Sequence, residues 1–348
     1  MKTENTIVDN ILENDNAHIY NHTKENVTAL KGTTVLVVGS NGFLGSTIIS
    51  FLKYLNDVAF KKQNIINIIA IDYDDHDICN PLDTFVSIET VDYIINCAGI
   101  ASPKKYLKLP VETLDVSYIG TKNIFDLAML KNTKSVLMFS SSEVYGTPDS
   151  NNIPTKEEYI GAVTTFGNRS CYDIGKNVLE TLCYVYHQKY NLPVNIVRPF
   201  NLYGPLMNID DGRIIPNICK SMIEKRSFSV YGSGDQTRTY CYVADAIVYI
   251  FKILLSDQFG QIYNIGSEDE ELSALEITKK AYELISPRDS DFTIEPHPDD
   301  YPDNEPQRRK PDISKVKLIS GYTPKYTFKN GFLSCYDYFC NILKGEAL

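Results

Sequence analysis

No apolar run in this sequence approaches the ~18 residues needed to span a bilayer, so no membrane helix is expected. There is no Cys-x-x-Cys pair, and no histidines gather near the eight cysteines, which excludes the usual metal-ligand spacing. Reduced thiols in a cytoplasmic protein, and no metal, are therefore expected. An excess of basic residues is also lacking: the net charge is −10, which argues against a nucleic-acid partner. The first sixteen residues are polar and acidic, the wrong character for a secretory signal. Internal repeats and low-complexity tracts are absent. What is present is an ordinary globular composition. The chain has 348 residues, 43% of them apolar, enough to bury a large core in one large or two closely joined domains.

Strand and helix signals alternate. Thr33 to Val38 is an apolar, β-branched run that predicts a buried strand. A glycine-rich turn follows, then a helical stretch to about Tyr54. Asn64 to Ile71, Val91 to Cys97, Ser135 to Ser140 and Val194 to Arg198 read as further buried strands. Val111 to Leu130 and Asn168 to Tyr190 read as helices. This order predicts an α/β fold, a Rossmann-type doubly wound parallel sheet, over residues 32–200. Residues 1–31 carry a weak helical pattern (Ile7, Ile11, Leu12, Ile19) and are expected as an N-terminal helical arm. From Asn201 the order loosens. Residues 201–348, including a stretch rich in Pro and Asp at 287–311, are expected to form a smaller, loop-rich substrate-binding part that can cross back to the first domain.

The turn reads Gly39-Ser40-Asn41-Gly42-Phe43-Leu44-Gly45 and sits between a strand and a helix. Glycines at this spacing allow a tight turn and close approach of backbone to a pyrophosphate at the helix N-terminus. The second strand ends at Asp72, placed to accept from a ribose 2′-hydroxyl and to repel a 2′-phosphate. An aspartate after a strand also suits a plain turn. No Arg or Lys lies between Ile71 and Pro81, so NAD is favoured over NADP. Only four residues separate Asp72 from Asp77-Ile78, too few for a helix before the next element.

Tyr172 and Lys176 lie at i, i+4 on a predicted helix and share one face. An ammonium beside a phenol favours the phenolate, which can accept a proton near neutral pH. With 24 tyrosines in the chain the spacing alone means little; the ordered set of glycine turn, Ser140-Ser141-Ser142-Glu143 and Tyr-x-x-x-Lys carries the argument. Glu143 follows the carboxyl end of a strand, where ligands bind in open α/β sheets.

With these segments the chain resembles the extended short-chain dehydrogenase/reductase family, the NAD-dependent epimerases and dehydratases, and within it the UDP-glucuronate decarboxylase branch. The matching pieces run from Lys31 nearly to the end. They include Asn96-Cys97-Ala98-Gly99, Ala101-Ser102-Pro103, Ser140 to Gly146, Arg169-Ser170-Cys171-Tyr172-Asp173-Ile174-Gly175-Lys176 and Arg198-Pro199-Phe200-Asn201. Asp211-Gly212-Arg213, Tyr231-Gly232-Ser233-Gly234 with Gln236-Thr237-Arg238, and Gln307-Arg308-Arg309-Lys310 complete the set. The resemblance implies cofactor contacts from Gly39, Asn41, Gly42, Phe43, Leu44, Gly45, Asp72, Asp77, Ile78, Ala98, Gly99, Ser140, Tyr172, Lys176 and Pro199. It implies catalytic roles for Tyr172, Lys176, Ser141, Ser142, Glu143 and Arg238, and nucleotide-sugar contacts from Tyr106, Asn201, Arg213, Tyr231, Arg238 and Arg309. Arg238 suits a diphosphate or a carboxylate equally, and Arg309 is expected to bind phosphate.

The implied chemistry is NAD-dependent modification of a UDP-linked sugar through a 4-keto intermediate, most simply decarboxylation of UDP-glucuronate to UDP-xylose or its 4-keto form, by a homodimer. A 4-epimerase is the main alternative. A 4,6-dehydratase needs an acid where Ser142 stands, and a non-catalytic NAD sensor has no use for an intact Tyr-Lys pair. The chain departs from the family at Ser117, where Asn is usual, and at Leu206, where the decarboxylases tend to carry Arg.

Overall fold

Strand β1 (Thr34–Val38) is buried along its whole length, and its side chains feed two different cores. Val35 and Val37 join Ile48 and Phe51, whereas Leu36 and Val38 join Ile124 and Leu179. A strand apolar on both faces requires cover on both faces, which explains the unbroken apolar run. The structure is a computed structural model and describes residues 6–74, 76–80, 88–285, 291–296 and 306–345.

The first half contains α1 (Ile7–Val27), β1, α2 (Phe43–Tyr54), β2 (Asn67–Ile71), β3 (Tyr93–Asn96), α3 (Pro103–Tyr106), α4 (Pro110–Asp115), α5 (Thr121–Lys131), β4 (Ser135–Phe139), α6 (Ser170–Tyr190) and β5 (Val194–Pro199). The second contains β6 (Leu202–Tyr203), α7 (Ile214–Ile223), β7 (Phe228–Tyr231), β8 (Thr237–Thr239), β9 (Cys241–Tyr242), α8 (Val243–Leu254), β10 (Ile262–Ile265), β11 (Glu271–Ser273), β12 (Phe292–Glu295) and β13 (Arg308–Arg309), with helices Ala274–Ile285, Ser314–Ser320 and Phe328–Gly345. The central sheet is wholly parallel, in the order β10-β5-β4-β3-β1-β2. Chain order reverses between β1 and β3, so a crevice opens at their carboxyl ends.

One expectation changes. β2 is not a buried strand: only Ile71 is fully buried, because among the described residues β2 is the sheet edge and has one neighbour. The chain crosses back to the first domain after residue 200: β10 joins the sheet beside β5, and the buried helix α8 packs on β4 and β5. The expected N-terminal helix is present over Ile7–Val27 and is built into the fold. α1 starts with a Thr6–Asp9 capping box and packs on α8 and the C-terminal helix. Its buried face mixes apolar Ile19 and Val27 with polar groups: Asp15 accepts from the Tyr242 and Tyr326 hydroxyls at 2.8 and 3.1 Å, and His18 Nε2 lies 3.1 Å from Asp245. These polar groups on the contact face are why the apolar periodicity of this helix is weak.

The segment after Asp72 falls partly on residues 75 and 81–87, and the Pro- and Asp-rich stretch falls partly on 287–290 and 297–305; these lie outside the described residues. Among the described residues no helix is long and apolar enough to cross a membrane, and no group of metal-capable side chains gathers. All eight cysteines are free thiols.

Candidate active site

The glycine turn is shaped by backbone contact. Gly39 has φ +76°, and a Cβ there would lie 2.8 Å from Ala98 N. A Cβ on Gly45 would lie 2.1 Å from the Gly39 carbonyl oxygen. The first glycine thus brings the turn against the residues that follow β3, and the last lets α2 begin directly beneath it. Gly42, the N-cap of α2, supplies no side-chain cap, so the first-turn N–H groups that begin at Phe43 and Leu44 open onto the turn. Asp72 accepts from Asn41 N at 2.7 Å and Tyr73 N at 2.8 Å, which ties its carboxylate to the same loop. A cradle without side chains, an open helix N-terminus and a carboxylate that has no ion pair among the described residues fit NAD. Asp77 is exposed and accepts from Cys79 N at 2.9 Å. The Ile78 side chain is buried in the core on the α5–α6 side, and a Cβ on Gly120 would lie 2.6 Å from its Cδ1.

At the end of β4 the chain turns through Ser140 and Ser141. Ser141 Oγ accepts from Glu143 N at 3.2 Å, starting the one-turn helix Ser142–Tyr145, and hydrogen-bonds Tyr172. Tyr172 and Lys176 are both buried on α6. Lys176 Nζ donates to the Phe139 carbonyl at 2.8 Å, lies 5.8 Å from the Tyr172 ring centre, and is the nearest group to a Cβ placed on Gly99, at 3.1 Å. The expected lowering of the phenol pKa is not what this arrangement produces. Burial raises the Tyr172 phenol; Ser141 and Arg213 oppose it, and Glu143 adds to it. Burial also brings the Lys176 ammonium down to about 8. Desolvation outweighs the lysine because Lys176 is itself buried and bonded to a carbonyl. Ser140 differs as well: its hydroxyl donates to Glu180, so it faces α6.

One helical turn before Tyr172 lies a cage of charges. Arg169 bonds Glu143 and sits 3.7 Å from Asp173, its i+4 neighbour. Arg309 donates to the Ser142 carbonyl, to Glu143 at 3.1 Å and to the Gly146 carbonyl at 3.4 Å. Arg238, opposite Arg309 in the β8–β13 register, adds its field. Burial would raise the Glu143 pKa, but Arg309, Arg169 and Arg238 together hold it below the ordinary range. Burial takes Asp173 to about 6 despite Arg169, and its Oδ1 has no partner among the described residues. Tyr106 stacks on Tyr172 with ring centres 5.3 Å apart, and its buried hydroxyl likewise has no partner. Two orphaned polar atoms beside Tyr172 mark a place for polar groups of a ligand.

Arg309 was expected to reach a phosphate. It is instead buried and spends its donors on Glu143 and the 142–146 turn, because β13 aims it inward. Its neighbour Arg308 pairs with Glu271 at 2.6 and 2.8 Å. Asn201 donates to the Thr239 carbonyl at 3.0 Å, and Arg238 Nη1 donates to the Thr237 carbonyl at 2.9 Å. Arg213 and Tyr231 are exposed, with Arg213 Nε 3.2 Å from Asp211. Pro199 ends β5 opposite Ile265. Sequence reasoning missed Arg169 and Asp173 as members of the site. The available signal was their i, i+4 placement around Tyr172 at the start of α6.

Residues 35–266 match the NAD dependent epimerase/dehydratase family. The chain is 38% identical over 309 residues to UDP-glucuronic acid decarboxylase 6 of Arabidopsis thaliana, covering 85% of this chain and 86% of that protein. Its fold is similar to UDP-glucose 4-epimerase of Thermotoga maritima with UDP-glucose, at a TM-score of 0.77, 19% identity and coverage of 89% and 99%. It is also similar to UDP-glucuronic acid 4-epimerase from Bacillus cereus in complex with UDP-glucuronic acid and NAD, at a TM-score of 0.73, 24% identity and coverage of 89% and 99%. At these identities the two solved structures speak for the fold alone.

Proposed function

The chain belongs to the NAD dependent epimerase/dehydratase family, and we propose that it decarboxylates UDP-glucuronate, giving UDP-xylose or its 4-keto form. It is an NAD-dependent enzyme that acts on a nucleotide sugar. The observation that carries the finer reading is the cage beside Tyr172. Three guanidinium groups (Arg309, Arg169, Arg238) act on the Glu143 carboxylate, and burial takes the adjacent Asp173 carboxyl up to about 6. Guanidinium groups gathered next to the proton-transfer tyrosine suit a sugar that carries a carboxylate.

Bound on the glycine turn, NAD supplies the reversible two-electron oxidation of the sugar at C4. Tyr172 takes the proton of the 4-hydroxyl, and Ser141, already bonded to Tyr172, holds that oxygen. Arg213 and Lys176 favour the ionised phenol during the transfer. The 4-keto uronate is a β-keto acid. Its C5–carboxylate bond breaks as CO2 leaves, and the electron pair moves into the ketone as an enolate. Hydrogen bonds and positive charge at the 4-oxygen stabilise that enolate. A proton then returns to C5, with Glu143 and its arginines controlling charge at that face. Ser142 offers no acid for expelling a 6-hydroxyl, which disfavours a dehydratase.

Incubation with UDP-glucuronate, with released CO2 and the product mass recorded, tests this reading. CO2 with UDP-xylose or its 4-keto form supports it. A 4-epimer without CO2 moves the assignment to epimerase, and turnover of neutral sugars alone removes the uronate. Tyr172→Phe should abolish oxidation while keeping nucleotide-sugar binding, since the ring still stacks on Tyr106.

We also propose a homodimer. Val111, Leu114, Tyr118, Tyr184 and Val185 are exposed on the packed segment formed by α4, the turn after it and α6, an apolar surface that a second copy would cover. Eight free thiols support a reducing, cytoplasmic setting.

A further inference from the structure

The stripe that carries Tyr172 and Lys176 continues one turn further. Tyr172, Lys176 and Glu180 lie at i, i+4 and i+8 on α6, hence on one face. Lys176 grips the carbonyl of Phe139, and Glu180 grips the hydroxyl of the next residue, Ser140, at 2.5 Å. The carboxylate is itself clamped by Arg198 of β5, with Nε on Oε1 at 2.7 Å and Nη2 on Oε2 at 2.5 Å. Arg198 Nη1 also donates to the Tyr145 hydroxyl at 2.7 Å and the Glu157 carbonyl at 3.1 Å. Tyr145 ends the one-turn helix that holds Glu143, and its hydroxyl donates to Asn264 Oδ1 of β10 at 2.7 Å. One buried chain of hydrogen bonds therefore joins α6, the end of β4, β5, β10 and the Ser142–Tyr145 turn.

We propose that Glu180 is a positioning residue for the Tyr172–Lys176 pair: fixed by Arg198, its carboxylate is the counter-charge that lets Lys176 remain an ammonium in a buried site. The proposal rests on the reading of that pair as the proton-transfer centre. The groups around Lys176 leave few alternatives. On its own helix they are Tyr172, Glu180 and Cys183, and from the end of β3 comes Cys97. Burial pushes both thiols well up, so they stay neutral at working pH. Burial alone pulls the ammonium down, and Glu180 acts against that pull. Removing its charge also leaves the Arg198 guanidinium without its partner, and that cation would oppose the lysine further.

The experiment is kcat against pH for wild type, Glu180→Gln, Glu180→Asp and the double variant Glu180→Gln/Arg198→Met. It is paired with an NMR titration of the Lys176 side-chain nitrogen and a melting curve for each protein. Glu180→Gln should move the alkaline limb and the Lys176 titration to lower pH by about 1 unit, the size of one nearby opposite charge, with KM for UDP-glucuronate unchanged. Glu180→Asp, which keeps the charge, should restore both. The double variant, which carries no stranded guanidinium, should still show the acidward shift. A profile of wild-type shape in Glu180→Gln, scaled down equally at every pH, together with an unmoved Lys176 titration, overturns the proposal. So does a wild-type titration in the double variant, since that would assign the effect to Arg198. Full turnover by Tyr172→Phe would overturn the reading of the pair instead, while the Lys176 titration still decides the role of Glu180.

Discussion

Arg309 donates from Nη2 to Glu143 Oε2 at 3.1 Å, across 166 residues of sequence. This contact stitches the last small strand of the chain to the turn that follows the fourth strand of the central sheet. Because Arg309 is buried and Glu143 half-buried, cutting it strands a charge. Arg309→Ala is expected to lower stability by about 3–5 kcal/mol, the cost of breaking a buried pair. Arg308→Ala removes an exposed pair with Glu271 and should cost no more than ~1 kcal/mol. Urea unfolding of the two variants, one residue apart, gives the contrast; equal losses would show that the Arg309 pair is not isolated from solvent.

The parts of this structure that were legible in the sequence depend on local pattern. Thr34–Val38, the glycine turn and the Tyr172–Lys176 spacing each follow from short-range geometry, and all stand where the pattern put them. The parts that were not legible depend on partners far away. Nothing near Arg309 says that it turns inward to Glu143 rather than outward to a phosphate. The hydroxyl of Ser140 faces Glu180 for the same kind of reason. The polar face of α1 is unreadable without Tyr242, Tyr326 and Asp245, which satisfy it. The sense of the Tyr172 pKa shift was hidden too, because spacing reports the lysine and says nothing of how deeply both groups are buried.

Gly45→Ala should fold and lose its dinucleotide. The added methyl would meet the Gly39 carbonyl oxygen at 2.1 Å, so the turn must move away from the helix N-terminus. Purified wild-type protein should release NAD(H) on denaturation, and the variant little or none. NADP(H) as the main species in wild type would contradict the role given to Asp72.

Asp15 should make stability depend on pH. Burial raises its carboxyl to about 7, although the two tyrosine hydroxyls favour the ionised form. The unfolded chain holds that proton only to about pH 4. Between these values the folded state binds more protons, so stability falls as pH rises from about 4 to about 7 and levels off above. The difference spans roughly 3 pH units, or about 4 kcal/mol at most. Asp15→Asn removes the titration. Chemical unfolding of both proteins at pH 5 and pH 8 should show the variant gaining on wild type at the higher pH; parallel curves would place Asp15 in contact with water.

Glu143→Gln tests the cage. Arg309, Arg169 and Arg238 keep Glu143 ionised at working pH, so its role is that of a fixed negative charge among three positive ones. Neutralising it raises the local positive charge by one without changing the shape of the side chain. A uronate carboxylate should then bind as well as before or better, so KM should hold or fall. The step that moves charge, from carboxylate to enolate to C5–H, should slow by about 10²–10³, the usual cost of a misplaced electrostatic group. Arg169→Lys keeps the charge and loses the guanidinium that reaches both Glu143 and Asp173, so it should slow CO2 release less and raise KM. Steady-state CO2 release together with NADH absorbance, for wild type and both variants, separates these outcomes. A loss in Glu143→Gln that appears wholly in KM would mean that Glu143 shapes the pocket and takes no part in the charge movement.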